Sequence, residues 1–487
     1  LNGNVAVRLN TRHRKIFFHS KFLVVPEYAV VCKRKAAVVN MTTKWGDLDA
    51  TVKAMDDYVK QAIAKDVDIL VFGPEFIGRV EEIAERVAPG RLLFYVGDDC
   101  PTWAEPYYEL VSLCSSSDPM VALDAHEDAA IYFSSGTTGF PKAILHNHES
   151  LTQAAEMEQA HHGQTADDVF LCIPPLYHTG ACMHWMGSLL AGGRGVLLRG
   201  VSPKTILQTA SDERCTIVWL LVPWAQDILV AIEEGRVNLA DYHLDQWRLM
   251  HIGAQPVPKS LVERWLAVFP NQQYDTNYGL SESMGPGCVH LGVDNVDHVG
   301  AIGVPGYRWE CRIVDEKGAE VEPGEVGELC VKGPGLMDCY YKDPAATAET
   351  LIDGWLHTGD MARQDEGGFY WLVDRKKDVI IMGGENIYPV QIEDYLMGHP
   401  AIQDVAVIGI PDERLGEISC AIIELKPDAA PVTQEDIEKF CLGLPRYKRP
   451  RKVIFAHVPR NPTGKIEKPA LRAKYGAASL VDYENRR

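Results

Sequence analysis

The chain has 487 residues, 46% hydrophobic and 24% charged, with a formal net charge of −19. That length is too great for one hydrophobic core and predicts two to four domains of a globular protein. The acidic balance excludes a general nucleic-acid binder, which shows a basic surface, but leaves room for a local basic pocket that takes small anions.

Residues 1–40 are atypical. Arg8, Arg12, Arg14, Lys15, Lys21, Lys33, Arg34 and Lys35 crowd a segment with one acid, Glu27, and poor periodicity. From Ala36 the pattern becomes regular. It predicts a helix over 49–65, a strand over 68–72, a helix over 78–87 and a strand over 92–96. A strand over 129–133 then feeds a Ser/Thr/Gly loop, followed by a helix over 150–161. Further strands are expected over 168–173, 194–198, 216–222 and 247–252, with helices between. Such alternation predicts mostly parallel sheets covered by helices. The strongest candidate for a membrane span, 215–232, contains Pro223, Gln226 and Asp227. It reads instead as a buried strand leading into a helix.

After Tyr274 the pattern changes. Strands over 299–306, 310–314 and 327–332 alternate with Gly/Pro/charged turns, predicting a β-barrel-like antiparallel subdomain. A strand over 369–373 precedes the charged break 374–378. A small α+β unit follows, with strands over 379–381, 405–410, 418–425 and 452–456 and helices over 390–398 and 433–442. The expected fold class is therefore α/β, with a large N-terminal domain over 1–373. A hinge over 374–378, a mobile C-terminal domain over 379–476 and a tail over 477–487 complete it. Twelve cysteines form no C-x-x-C pair. Many sit in apolar runs, so buried free thiols in a reducing, cytoplasmic compartment are expected.

Five segments carry chemistry. Tyr132-Phe-Ser-Ser-Gly-Thr-Thr-Gly-Phe-Pro-Lys142 combines glycines, hydroxyls and a lysine, which suits a polyphosphate. It is not a Walker A loop, because Ala143 stands where a magnesium-binding Ser or Thr is needed. Asn277-Tyr-Gly-Leu-Ser-Glu-Ser283 offers an aromatic for a base and a carboxylate for Mg2+. Gly354-Trp-Leu-His-Thr-Gly-Asp360 ends in an acid suited to a ribose diol. Arg375 lies in the charged break, and Pro459-Arg-Asn-Pro-Thr-Gly-Lys-Ile-Glu467 presents Lys465 on a turn. Each alone also has a plain structural reading, as a turn, a solvated hairpin or an N-capping Asp. The histidines are not expected to bind metal, since His146, His148, His161 and His162 lack partners at metal spacing.

Taken together and in this order, the segments resemble the adenylate-forming superfamily over about residues 36–476. That family contains acyl- and aryl-CoA synthetases, luciferases and the adenylation domains of peptide synthetases. The resemblance implies that Ser134, Ser135, Gly136, Thr137, Thr138, Gly139 and Lys142 hold the β- and γ-phosphates of ATP. Tyr278 and Gly279 would meet adenine beside Gly253, Ala254 and Gln255, and Ser281 would touch the α-phosphate region. Glu282 would hold Mg2+, Asp360 and Arg375 the ribose, and Lys465 would bridge substrate carboxylate and α-phosphate. Lys377 would act as the hinge, whose rotation brings Gly383 and Gly384 toward the acyl-adenylate to line a CoA tunnel.

The resemblance further implies ATP-dependent activation of a small-molecule carboxylic acid, then transfer to CoA. His178 would orient the acid, and Trp185, Trp219, Val222 and Trp224 lie in segments that flank the acyl site in relatives. Buried tryptophans are ordinarily core. If two line the site, a medium-chain, branched, alicyclic or aryl carboxylate is favoured over a long chain. The rivals are a long-chain fatty acid CoA ligase, an enzyme that loads a carrier protein or oxidises like a luciferase, and a non-catalytic nucleotide-binding scaffold. Joint retention of Lys142, Glu282, Asp360, Arg375 and Lys465 argues against the last. A homodimer is among the expected assemblies. Residues 1–40 match relatives badly, so either a truncated N-terminus or a sequence that lacks some N-terminal residues is expected.

Overall fold

The computed structural model describes residues 5–8, 36–38, 69–78, 80–81, 92–112, 123–134, 142–174, 176, 178–198, 200–253, 257–293, 295–427, 429–460 and 466–476. The helix expected over 49–65, most of that over 78–87, most of 1–40 and the tail lie outside them. The chain divides into two compact units, 1–311 with 331–356, and 312–330 with 357–487. The charged break over 374–378 thus lies inside the second unit.

The first unit holds a six-stranded sheet in the order 5–8, 194–197, 169–172, 217–221, 249–253, 273–275. All neighbours are parallel except the first pair. Its inner strands are short apolar runs because helices cover both faces. Phe170, Leu171, Ile217, Leu220 and Ile252 are wholly buried. A second sheet, 36–38, 69–72, 92–95 and 105–106, is parallel throughout. The segment read as strand-then-helix is strand Ile217–Leu221 followed by helix Val222–Glu233. Among the described residues no helix is long and apolar enough to cross a membrane. Cys182 and Cys288 are buried free thiols, each pushed up to about 12 by burial, and are chemically quiet.

Two sequence expectations change. The Ser/Thr/Gly loop does not run straight into a helix. Strand Lys142–Asn147 intervenes and pairs antiparallel with strand Asp128–Ser134. Its wholly apolar Ala143-Ile-Leu145 stretch, buried on both faces, hid the alternation that marks a strand. Helix His148–His161 follows, with Asn147 Oδ1 accepting from Ser150 N at 2.8 Å. The strand expected over 299–306 shrinks to Val304–Pro305. Gly300 and Gly303 take φ of +106° and +114°, outside the strand region. A Cβ at Gly303 would strike the His290 carbonyl.

In the second unit, strand Trp355–Gln364 pairs antiparallel with strand Tyr370–Arg375. Strands Ile402–Asp412 and Gly416–Leu425 form the long hairpin of the C-terminal sheet. Helices Pro389–Met397, Gln434–Phe440 and Lys468–Tyr475 accompany that sheet. Ile392, Leu396, Val405, Val407, Ile423 and Ile437 pack as its apolar core.

Candidate active site

Ser134 stands opposite Lys142 in the hairpin, so the ends of the Ser/Thr/Gly loop meet. Ser135, Gly136, Thr137, Thr138, Gly139, Ala254, Gln255 and Lys465 lie outside the described residues. Lys142 Nζ lies 4.2 Å from the centroid of the Tyr340 ring, a cation–π distance. The Tyr340 hydroxyl in turn donates to Glu282 Oε1 at 2.8 Å. Burial and the adjacent Glu282 charge push this phenol above its ordinary range, so it remains a donor at neutral pH. Strand Cys339–Tyr340 reaches this place by pairing with strand Lys142–Asn147.

The Ser281–Ser283 turn closes strand Asn277–Leu280. The buried His146 donates from Nε2 to the Ser281 carbonyl at 2.8 Å. Burial lowers this imidazole to about 4, so it is neutral at pH 7. Met337 N donates to the Glu282 carbonyl at 2.8 Å. The Glu282 backbone is thus held from two sides, by its neighbour's bond to His146 and by its own to Met337. Among the described residues Glu282 Oε2 takes part in no hydrogen bond, and a carboxylate oxygen is the ligand Mg2+ prefers. A Cβ at Gly253 would lie 3.8 Å from Asn277 Oδ1, which sets Gly253 beside the strand of Tyr278 and Gly279.

In the second unit, Asp360 and Arg375 face each other across paired strands, with Arg375 Nε 3.5 Å from Asp360 Oδ1. Glu328 supports this turn. It accepts from Gly359 N at 3.0 Å and from Lys376 Nζ at 3.0 Å, and lies 3.2 Å from His357 Nδ1. Burial raises the Glu328 pKa, but bonds from Lys376 and His357 outweigh it and hold the carboxyl below its ordinary range. Lys377 is exposed in the turn Lys376–Asp378. Gly383 and Gly384, with φ of +61° and +90°, make the two-residue turn between strands Ile380–Met382 and Glu385–Ile387.

The acyl-site candidates separate. His178 is exposed at the start of helix Thr179–Leu190, 6.1 Å between ring centroids from Trp219. Val222 is buried and Trp224 half-buried in the first turn of helix Val222–Glu233. Trp185 packs in a core cluster with Phe170, Leu189 and Ile217, against a surface where only glycine, Gly195, leaves room for its indole.

Sequence reasoning missed Tyr340, His146 and Glu328, which belong to no motif. It also expected no metal role for His162, whose ring the structure brings together with two other buried histidines. His184 and His251 place ring nitrogens within 4.8 Å of that of His162. These residues are distant in the chain, so spacing could not reveal them.

The family model described as AMP-binding enzyme matches residues 36–341, and its AMP-binding enzyme C-terminal domain matches 391–465. A feruloyl-CoA synthase of Amycolatopsis sp is 35% identical over 412 residues, covering 84% of this chain and 79% of that protein. The long-chain-fatty-acid–CoA ligase FadD13 of Mycobacterium tuberculosis is 32% identical with the same coverage. The crystal structure of ATP-bound MatB from Rhodopseudomonas palustris superposes with a TM-score of 0.77 at 26% identity, covering 87% of this chain and 82% of that one.

Proposed function

The chain belongs to the AMP-binding enzyme family, and on that premise we propose that Lys142, Glu282, Asp360, Arg375 and Lys465 carry its activation of a carboxylic acid. It is an AMP-forming acyl-CoA synthetase with ATP and CoA as co-substrates. The observation that carries the residue roles is the Lys142–Tyr340–Glu282 chain, which ties the mouth of the phosphate loop to the Ser281–Ser283 turn.

A substrate carboxylate oxygen attacks the α-phosphorus of ATP, and the bond to the bridging oxygen breaks to release pyrophosphate. No general base is required, because carboxylic acids are ionised at neutral pH. The obstacle is anion meeting anion, and preorganised cations offset it. Lys142 holds the departing phosphates, Lys465 spans carboxylate and α-phosphate, and Asp360 with Arg375 fixes the ribose. Glu282 would hold Mg2+, which would supply further positive charge to the phosphates. The CoA sulfur then attacks the acyl carbonyl, AMP leaves, and the thiol proton goes to solvent. Both co-substrates are intracellular, which supports a cytoplasmic enzyme.

For the acid, a medium-chain, branched, alicyclic or aryl carboxylate is favoured, with His178 and Trp219 close together at the acyl-site segments. The likeness to a feruloyl-CoA synthase supports an aryl member of that class. A panel of acids, read by pyrophosphate release with and without CoA, is expected to show best turnover with an aryl or short branched acid and acyl-CoA only when CoA is present. Best turnover with palmitate would reject the acid class, and full turnover without CoA would reject the acceptor.

Lys377 is proposed as the hinge. Lys377→Pro fixes φ near −65° and is expected to leave adenylation nearly intact while crippling thioester formation. Equal loss of the two half-reactions, measured separately, would count against it.

A further inference from the structure

We infer that a zinc-type divalent ion is held inside the first unit by His162, His184 and His251, with Glu158 as the adjoining carboxylate. This site is separate from the Mg2+ proposed at Glu282.

The donors converge from three elements. His162 follows helix His148–His161, His184 lies in helix Thr179–Leu190, and His251 lies in strand Leu249–Gly253. His162 Nε2 is 3.1 Å from His251 Nδ1, and His184 Nε2 is 3.1 Å from His251 Nε2. Glu158 Oε2 lies 2.8 Å from His184 Nε2. The His162, His184, His251 and Glu158 side chains are fully shut off from solvent. Ligand atoms around a tetrahedral zinc, at about 2.0–2.1 Å from the metal, stand roughly 3.3–3.4 Å apart. Each of the three rings offers one nitrogen within 4.8 Å of the others; the two 3.1 Å contacts use opposite nitrogens of His251, so closing the shell commits one of them and shifts the rings.

The ring orientations suit a bound ion. His184 Nδ1 is 2.6 Å from the Gly180 carbonyl, so that nitrogen carries the hydrogen. His184 Nε2 then faces the Glu158 carboxylate at 2.8 Å. An outer N–H on a backbone carbonyl is the support that metal-binding histidines take. Asp275 Oδ2 is buried within 3.0 Å of His290 Nε2 and 3.4 Å of both His162 Nε2 and His251 Nδ1. None of these contacts is aligned as a hydrogen bond. Gln164 adds a third sign. Its Oε1 is buried without a partner while its Nε2 lies 3.3 Å from His162 Nδ1. Turning the amide over gives Oε1 the Nδ1 hydrogen and leaves the Nε2 lone pair of His162 facing inward.

Charge points the same way. Two carboxyl groups, Glu158 and Asp275, are fully buried against these rings, a setting that favours a cation. A set of three imidazoles favours zinc over Mg2+ or Ca2+, which take oxygen shells. The ion would pin two helices to the sheet. Through Asn277 Nδ2, 3.4 Å from Glu158 Oε1, it would also brace the strand that carries Tyr278.

The test is metal content and spectrum of the full chain. Enzyme produced with added zinc and passed through chelator on a sizing column is expected to retain a stoichiometric zinc per chain. Enzyme produced with cobalt is expected to show the intense visible band of tetrahedral nitrogen ligation. His251→Ala should lose the ion, while His126→Ala, at an exposed histidine, should keep it. Trace metal in the wild type, or stoichiometric zinc persisting in both His251→Ala and His184→Ala, would overturn the site. If these variants do not fold, the wild-type cobalt spectrum decides. A weak six-coordinate, oxygen-type band would also overturn the site.

Discussion

Lys465→Ala is expected to slow acyl-adenylate formation by about 10²–10³-fold, while supplied acyl-adenylate still reacts with CoA at nearly the wild-type rate. In the first half-reaction a carboxylate must approach a triphosphate, and both are anions. An ammonium that touches carboxylate and α-phosphate together gains most where that charge is compressed, which is the transition state. In the second half-reaction the nucleophile is a thiol sulfur and the leaving group is AMP, so the same bridge is not required. Single-turnover pyrophosphate release, set against thioester formation from synthetic acyl-adenylate, separates the two. Equal losses in both would show that Lys465 holds the fold or the nucleotide rather than the adenylation transition state.

Glu282→Gln is the second large effect. The change keeps shape and volume, and the Tyr340 hydroxyl that now donates to Glu282 Oε1 can donate to the amide oxygen instead. Only the negative charge goes. If Glu282 binds the Mg2+ that neutralises the phosphates, several kcal/mol of transition-state stabilisation goes with it, about 10²-fold or more in rate. The apparent Mg2+ requirement should rise as well. Tyr340→Phe leaves the charge and removes one hydrogen bond to it, so about tenfold is expected. A Glu282→Gln enzyme with the wild-type rate and Mg2+ response would remove Glu282 from the metal site.

The strands and helices of the first unit's main sheet were legible because burial on both faces leaves unbroken apolar runs between polar turns, as at Ile217–Leu221. The strand after the phosphate loop was harder to read, since the apolar Ala143-Ile-Leu145 run carries no alternation. The expected strand over 299–306 failed for another local reason, two glycines whose positive φ breaks an otherwise β-branched stretch.

Residue type and local order alone determined the chemistry. Glycines and hydroxyls before a lysine, an aromatic before a carboxylate, and an acid on a turn each work within a few residues of chain. Their succession pointed to acid activation. Only the tertiary structure decided which side chains hold those motifs in place. Tyr340 reaches Glu282 across 58 residues of chain and His146 reaches Ser281 across 135. His162 meets His251 across 89. Such pairings follow from strand register and from which faces are buried together. Local propensity acts over a turn or two and carries no record of them.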